Sequence, residues 1–357
     1  MKNTWNTIDI VRLFNIGGKI QSTNTLKYAE SQGKIPSCKN IKKGTRIYRE
    51  WTIDQIPEIG KHYGFIQKPK RQMIVSFYTN KGGTLKSSLS YHFSRISSLN
   101  GLKTLVIGLD CQQSITDAFK ARENNKQTKE NIEDKHIQDF LGEQNPSLYE
   151  FMFPRSKKNI IRLDDIIVKT DIPTLHYIPE TPSLASLARE IEIGSFKEHQ
   201  FSKRLIPSLK KYDLIVFDNS PSLSTLSVNS FCIGSNDVDK HIVSPFGCDL
   251  NSFRALESHI QYTHDFVSSD SCKSFTIVPT RLKARSTLSE SVKSMYLAKH
   301  GNIVTSSSIR DSVDGDASTF LGITPCEYKM NSALSQDTIN VVYELYKKFE
   351  RGNKYGS

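Results

Sequence analysis

The chain has 357 residues, 37% of them hydrophobic and 10% aromatic, with a formal net charge of +11 at pH 7. That length suits a large α/β domain plus a small one, and the lack of any run of about 18 apolar residues excludes a membrane-spanning helix. Six cysteines at positions 38, 111, 232, 248, 272 and 326 form no C-x-x-C pair, which argues against a cysteine zinc site and a disulfide framework. With no apolar leader core at Met1-Lys2-Asn3-Thr4-Trp5, the expectation is a soluble protein of a reducing cytoplasm.

The charge is unevenly placed. Residues 1–72 hold 14 Lys and Arg against 5 Asp and Glu, whereas the remaining 285 residues hold 34 against 32. In chain order, residues 7–15 read as a short helix capped by Thr7, followed by a turn at Gly17-Gly18. A second helix is expected from Ser22 or Thr23 to about Gln32, where Gly33 stops it. Then comes a basic loop in which Lys39, Lys42, Lys43, Arg46 and Arg49 surround Gly44, with Ile47, Tyr48 and Trp51 interleaved. A third amphipathic helix runs from Thr52 through Tyr63. This order resembles the winged helix-turn-helix of MerR-type regulators, which implies that Thr23, Asn24 and Lys27 face base edges while Lys42, Lys43 and Arg46 neutralise phosphates. The alternative is a basic, solvated dimerisation module. Residues 1–65 form the expected DNA-binding domain, the polar, proline-containing residues 66–72 a linker, and residues 73–357 a second domain.

The apolar run Met73-Ile74-Val75-Ser76-Phe77-Tyr78 reads as a strand, and a helical pattern with Leu89, Phe93 and Ile96 on one face begins soon after it. Between them lies Asn80-Lys81-Gly82-Gly83-Thr84-Leu85-Lys86-Ser87-Ser88. Such a strand, loop and helix cradle phosphates: backbone N–H groups crowd the oxygens, Lys86 adds a point charge, the Ser87 hydroxyl can ligate Mg2+, and the helix N-terminus contributes its positive dipole end. The residues of the expected nucleotide contact are Lys81 to Ser88. The ordinary G-x-x-x-x-G-K-[ST] pattern fails at Asn80 and Leu85, and the segment fits instead a deviant form, K-G-G-x-x-K-[ST], with a second lysine, Lys81, near its start.

A phosphate site in a parallel sheet needs an acidic side chain at the end of a neighbouring strand to hold the metal. Two runs supply one. Thr104-Leu105-Val106-Ile107-Gly108-Leu109 ends at Asp110, and Tyr212-Asp213-Leu214-Ile215-Val216-Phe217 ends at Asp218. The polar stretch from Glu123 to Glu130 reads as a surface insertion between them. The nine histidines show no ligand spacing, and no Ser-His-Asp arrangement stands out.

Over roughly residues 73–350 the chain resembles the ParA family of DNA-partition ATPases, of the deviant-Walker superfamily. The family's loop reads K-G-G-[VT]-G-K-[TS], its next strand ends D-x-D-P-Q-G, and its later strand reads Y-D-x-I-x-x-D-x-P-P-S. Lys81 to Ser87, Asp110 with Gln112, and Tyr212 to Ser222 stand at those places. The strand Leu175-His176-Tyr177-Ile178-Pro179, and the segments Val278 to Arg281 and Ile309 to Ser312, match further landmarks.

The resemblance implies an α/β fold, a mostly parallel twisted sheet with helices on both faces, carrying the small N-terminal winged helix-turn-helix. It implies ATP with Mg2+ as the ligand: Lys86 on the β- and γ-phosphates, Ser87 and Asp218 on the metal and its water shell, and Asp110 orienting the attacking water. Lys81 is then expected to reach across a homodimer to the partner's phosphates, as an arginine finger does. Arg285 and Arg310 fall where the family binds chromosomal DNA without sequence preference. A centromere-binding ParB-like partner that stimulates slow hydrolysis, repression of the chain's own operon, and residence on the nucleoid complete the expectation. Leu85, Gly108 and Cys111 depart from the family pattern at the glycine before the lysine, the first aspartate and the proline. The Leu85 and Gly108 departures feed the alternative of an ATP/ADP-sensing repressor with vestigial hydrolysis.

Overall fold

The structure, a computed structural model, describes residues 4–124, 146–154, 161–233, 237–268 and 272–352. Its centre is a seven-stranded sheet whose strands, in chain order, are β4 (Gln72–Phe77), β5 (Thr104–Leu109), β6 (Val168–Lys169), β7 (Leu175–Ile178), β8 (Leu214–Asn219), β9 (Val238–Gly247) and β10 (Cys272–Thr280). They lie in the order β10-β9-β4-β8-β5-β7-β6, and all neighbours pair in parallel except the short β6 on β7.

Strands buried on both faces carry apolar runs rather than alternation, and here successive residues divide between two cores. Val75, Phe77, Val106, Leu175, Leu214 and Val216 face one cluster, which includes Leu89, Phe93, Ile96 and Leu345. Ile74, Leu105, Ile107, Ile215 and Phe217 face another, which includes Leu184, Leu187 and Phe201. The chain is therefore α/β, with a mostly parallel sheet covered on both faces. The polar stretch assigned as an insertion lies, from residue 125 to 130, outside the described residues.

Ahead of the sheet stands a small unit of β1 (Thr4–Asn6), α1 (Thr7–Phe14), α2 (Thr23–Ser31), β2 (Lys39–Lys43), β3 (Arg46–Thr52) and α3 (Ile56–Tyr63). The three strands form their own antiparallel sheet in the order β1-β3-β2. One expectation needs correction: α1 is capped by Asn6, whose Oδ1 accepts the N–H groups of Ile8 and Asp9, both at 2.9 Å, while Thr7 is already helical. Two adjacent residues could each cap, and the extended backbone of Asn6 at the end of β1 selects it. Thr52 precedes a single turn, Ile53–Gln55, closed by a Thr52–Gln55 capping box, and only then does α3 begin.

The small unit is packed onto the large one. Trp5, Ile10, Leu13, Phe14 and Trp51 belong to the same buried cluster as Phe93 and Leu99. The contact centres on the C-terminal end of α4 (Lys86–Leu99), where Asn100 Oδ1 accepts the N–H groups of Phe65 at 2.8 Å and Ile66 at 3.3 Å. Ile66 is thus buried, and the stretch expected as a linker is held fast at its first residue. Gly60 permits the approach: a Cβ there would lie 2.0 Å from the Leu99 carbonyl oxygen.

Candidate nucleotide site

The loop Thr79–Leu85 leaves the C-terminal end of β4 and feeds α4, so it lies where ligands bind in open α/β sheets. In the register, Asp218 stands opposite both Phe77 of β4 and Gly108 of β5, and three acids follow the edge: Asp218 on β8, Asp110 just past β5, and Glu180 just past β7.

Within the loop, Gly83 and Leu85 both adopt left-handed backbone, with φ of +72° and +67°. Leu85 is the residue immediately before the first turn of α4, at the place where the ordinary pattern has glycine. Its conformation explains that preference, because a left-handed residue with a Cβ costs about 1–2 kcal/mol. The loop thus keeps the glycine's shape without the glycine. The half-buried Leu85 side chain packs against the core that holds Leu89 and Phe93.

Lys86 and Asp218 meet beneath the loop. Lys86 Nζ lies 3.2 Å from Asp218 Oδ1 and 3.4 Å from Ser87 Oγ, and the pair is buried, at 7% and 0% side-chain exposure. Among the described residues, Asp218 Oδ2 has no hydrogen-bond partner, and neither have the buried hydroxyls of Thr79 and Thr84. Buried polar atoms left without partners are expensive, so groups of this kind fit a ligand rich in oxygens and coordinated water. Gly82 and Gly83 are exposed, Ser87 and Ser88 half-buried, so the loop's outer wall is open to an incoming phosphate chain.

Asp110 is 7% exposed. Its Oδ1 accepts the Gln112 N–H at 3.0 Å, which shapes the turn after β5. Its own N–H donates to Glu180 Oε1 at 3.3 Å, and Glu180 Oε2 accepts the Thr116 N–H at 3.2 Å. Burial, and then the nearby Asp218 charge, push the Glu180 carboxyl up to about 8. Lys81 points away from this cluster: its Nζ donates to Ser252 Oγ at 2.6 Å and lies 3.4 Å from Asp249 Oδ1.

Of the residues expected at the site, Lys86, Ser87, Asp110 and Asp218 converge on one sheet edge, while Lys81 is held by its own chain on the side of β9. Sequence reasoning missed Glu180, Asp249, Ser252 and Arg281, whose Nη2 lies 4.0 Å from where a Cβ on Gly83 would stand. Only the glycine at 108, where the family motif has an acid, could have pointed to a carboxylate arriving from elsewhere.

Of the residues expected to touch DNA, six belong to the small N-terminal unit. Asn24 and Lys27 are exposed and Thr23 half-buried in the first turns of α2. Lys42 and Arg46 are exposed on the β2–β3 hairpin, where Lys43 pairs with Arg46 across a two-residue turn; the Lys43 side chain lies outside the described parts. Arg285 is exposed with φ +61°. Arg310 is engaged: its Nε and Nη2 lie 2.5 and 2.9 Å from the two oxygens of Asp337.

A parallel sheet whose first βα turn is a lysine-bearing phosphate loop, with an aspartate on the neighbouring strand, defines a P-loop nucleotide-binding protein. The family described as an AAA domain (AAA_31) matches over residues 72–273, more than half of the chain, and the chain belongs to it. It is similar to a ParA family protein, MG470, of Mycoplasma genitalium, 23% identical over 280 residues that cover 77% of this chain and 96% of that one. The cell division protein PomZ of Myxococcus xanthus is 26% identical over 58% of this chain and 53% of its own length. Protein SopA of Escherichia coli is 22% identical over 71% of this chain and 62% of its own. Among solved structures, a plasmid partition protein of Borrelia burgdorferi bound to AMPPNP shares the fold at a TM-score of 0.58 and 18% identity, covering 78% of this chain and all of that one. A cobyrinic acid a,c-diamide synthase of Mycobacterium smegmatis, bound to an ATP analog and magnesium, does so at 0.53 and 17%, covering 70% and 91%.

Proposed function

We propose that this chain is a DNA-partition ATPase of the ParA type, in which ATP closes a homodimer, the dimer binds DNA, and a centromere-binding ParB-like partner stimulates hydrolysis. The observation that carries the proposal is the buried Lys86–Asp218 pair with Asp218 Oδ2 unpartnered among the described residues, beneath a glycine-bearing loop. ATP with Mg2+ fits these groups: Ser87 Oγ and Asp218 would hold the metal, whose charge offsets that of the phosphates. Lys86 exchanges Asp218 for the β- and γ-phosphates, and loop N–H groups from Gly82 to Ser88 surround the same oxygens. Asp110, at the adjacent strand end, orients the attacking water. Lys81 leaves Asp249 and Ser252 for the partner's phosphates, a trade that the modest strength of a half-exposed ion pair permits.

Residues 1–65 are read as the winged helix-turn-helix, with α2 presenting Thr23, Asn24 and Lys27 to base edges and the β2–β3 hairpin as the wing that carries Lys42, Lys43 and Arg46 to phosphates. Arg285 is free to meet non-specific DNA, whereas Arg310 would first have to give up Asp337. Autorepression and residence on the nucleoid follow from the two DNA-binding modes.

A second reading, a nucleotide-sensing repressor, is favoured by one feature. The small unit is docked on the far end of α4, the helix whose first residue is Lys86, so a single rigid element joins loop and DNA reader.

ATPase assays with DNA, with and without the protein encoded immediately downstream, separate the two. Stimulation by both, with loss of activity in Lys86→Ala and Asp110→Ala, is the expected result. No stimulation and no loss would refute partition. Promoter footprinting with the full chain and with residues 73–357 tests the N-terminal reader, which is wrong if protection survives the truncation. Arg285→Ala should lower the slope of log affinity against log salt by about one for random DNA.

A further inference from the structure

Gly108 stands where the acid-x-acid strand end of the resembling family has its first acid, and the space beside it is filled. A Cβ built on Gly108 would lie 2.2 Å from Glu180 Cγ, 2.5 Å from Cδ and 2.8 Å from Oε1. No side chain fits at 108 while Glu180 holds its present place. Glu180 is 2% exposed and stands two residues past the end of the neighbouring strand β7, which pairs with β5 in parallel, so it reaches sideways across one strand spacing onto the sheet edge.

Its contacts are specific. The two carboxyl oxygens accept the N–H of Asp110 at 3.3 Å, where the turn carrying the water-orienting acid begins, and the N–H of Thr116 at 3.2 Å, in the first turn of the helix Ser114–Asn124 that follows it. The Glu180 N–H in return donates to Thr116 Oγ1 at 2.8 Å. A solely helix-capping carboxylate needs only the Thr116 side of this arrangement. The Asp110 side fixes the backbone from which the Asp110 carboxylate projects.

We propose that Glu180 is a positioning residue for Asp110, and that the pair Gly108/Glu180 is an exchange in which the carboxyl group absent from β5 is delivered from the end of β7. This rests on the ATPase function proposed above. The exchange predicts reciprocity: an aspartate introduced at 108 clashes with Glu180, but with Glu180 cut to alanine it places a carboxylate where Oε1 now lies.

The test uses the full chain with Mg-ATP, DNA and the stimulating partner. Glu180→Ala should lower kcat about 10-fold or more with KM for ATP changed less than about 2-fold, because geometry at the reacting atoms is lost while phosphate binding is kept. In an Asp110→Ala background the same substitution should cost no further kcat, since it acts through Asp110. Gly108→Asp alone should be impaired, and Gly108→Asp/Glu180→Ala should regain kcat to within about 3-fold of the unaltered chain. Urea midpoints of all variants show which are folded. Additive losses of Glu180→Ala and Asp110→Ala, or a double exchange no better than either single change in both kcat and urea midpoint, would overturn the proposal. If the unaltered chain has no Asp110-dependent hydrolysis, the ATPase function falls and with it the positioning role. The Gly108/Glu180 exchange is then decided by the urea midpoints alone.

Discussion

Leu85 offers a test whose sign is set by backbone geometry. The perturbation is a pair of substitutions, Leu85→Ala and Leu85→Gly, compared in the absence of nucleotide. Both remove the half-buried side chain from the core that it joins with Leu89, a loss of about 1 kcal/mol, roughly half of the 1.5–3 kcal/mol for full burial of a leucine. That loss cancels in the comparison. What remains is the backbone at φ +67°. Alanine keeps the left-handed cost of about 1–2 kcal/mol, while glycine escapes it but gives back about 0.4–1 kcal/mol through the freedom of its unfolded chain. The glycine variant should therefore be the more stable by about 0.5–1 kcal/mol. A right-handed residue at a helix start would reverse the order, with alanine ahead by up to about 1 kcal/mol. Urea unfolding followed by far-UV circular dichroism reads the difference as midpoint shift times a common slope. If Leu85→Ala unfolds at higher urea than Leu85→Gly, the left-handed assignment is refuted.

Releasing Lys81 should ease closure of the proposed dimer. Asp249→Ala removes a half-exposed ion pair worth about 0.2–1 kcal/mol in each of the two protomers, so ATP-dependent dimerisation measured by sedimentation should strengthen by up to about 30-fold, and an unchanged constant would argue against a cis-held lysine. Gly60→Ala, which drives a Cβ to 2.0 Å from the Leu99 carbonyl, should undock the N-terminal unit and destabilise it by about 1–3 kcal/mol. The only two tryptophans, Trp5 and Trp51, sit in that unit, so their fluorescence should report the loss at lower urea than circular dichroism does. Three buried histidines set an acid limit. Burial lowers His92 to about 4 and His241 and His259 to about 3, so all three are neutral when folded and take up protons on unfolding. Their contribution is complete above the unfolded value near 6.5 and is lost as the pH falls from there towards 4 and 3. The urea midpoint should drop over that window, and less steeply in His259→Gln.

The loop was legible because its geometry is local: Gly82, Gly83, Lys86 and Ser87 lie within one strand–turn–helix unit, and spacing along the chain suffices to bring Lys86 and Ser87 to the sheet edge, whereas the position of Lys81, turned towards Asp249 and Ser252, was not readable from it. Asp110 and Asp218 were legible for a related reason, since each ends an apolar run that has to be a buried strand. The capping residue of α1 was not, because Asn6 and Thr7 each carry a side-chain oxygen able to cap until β1 fixes the backbone of one of them.

A parallel sheet, a lysine-bearing phosphate loop and an acid on a neighbouring strand could be read along the chain, because period, run length and motif spacing are properties of short segments. The remaining contacts became visible in the folded molecule. Glu180 lies 70 residues from the Asp110 N–H that it holds, Asp249 lies 168 from Lys81, and Asn100 lies 35 from the Phe65 N–H that docks the small unit. Such contacts follow from strand order and domain packing, which bring distant segments within hydrogen-bond reach, and no spacing along the chain encodes them.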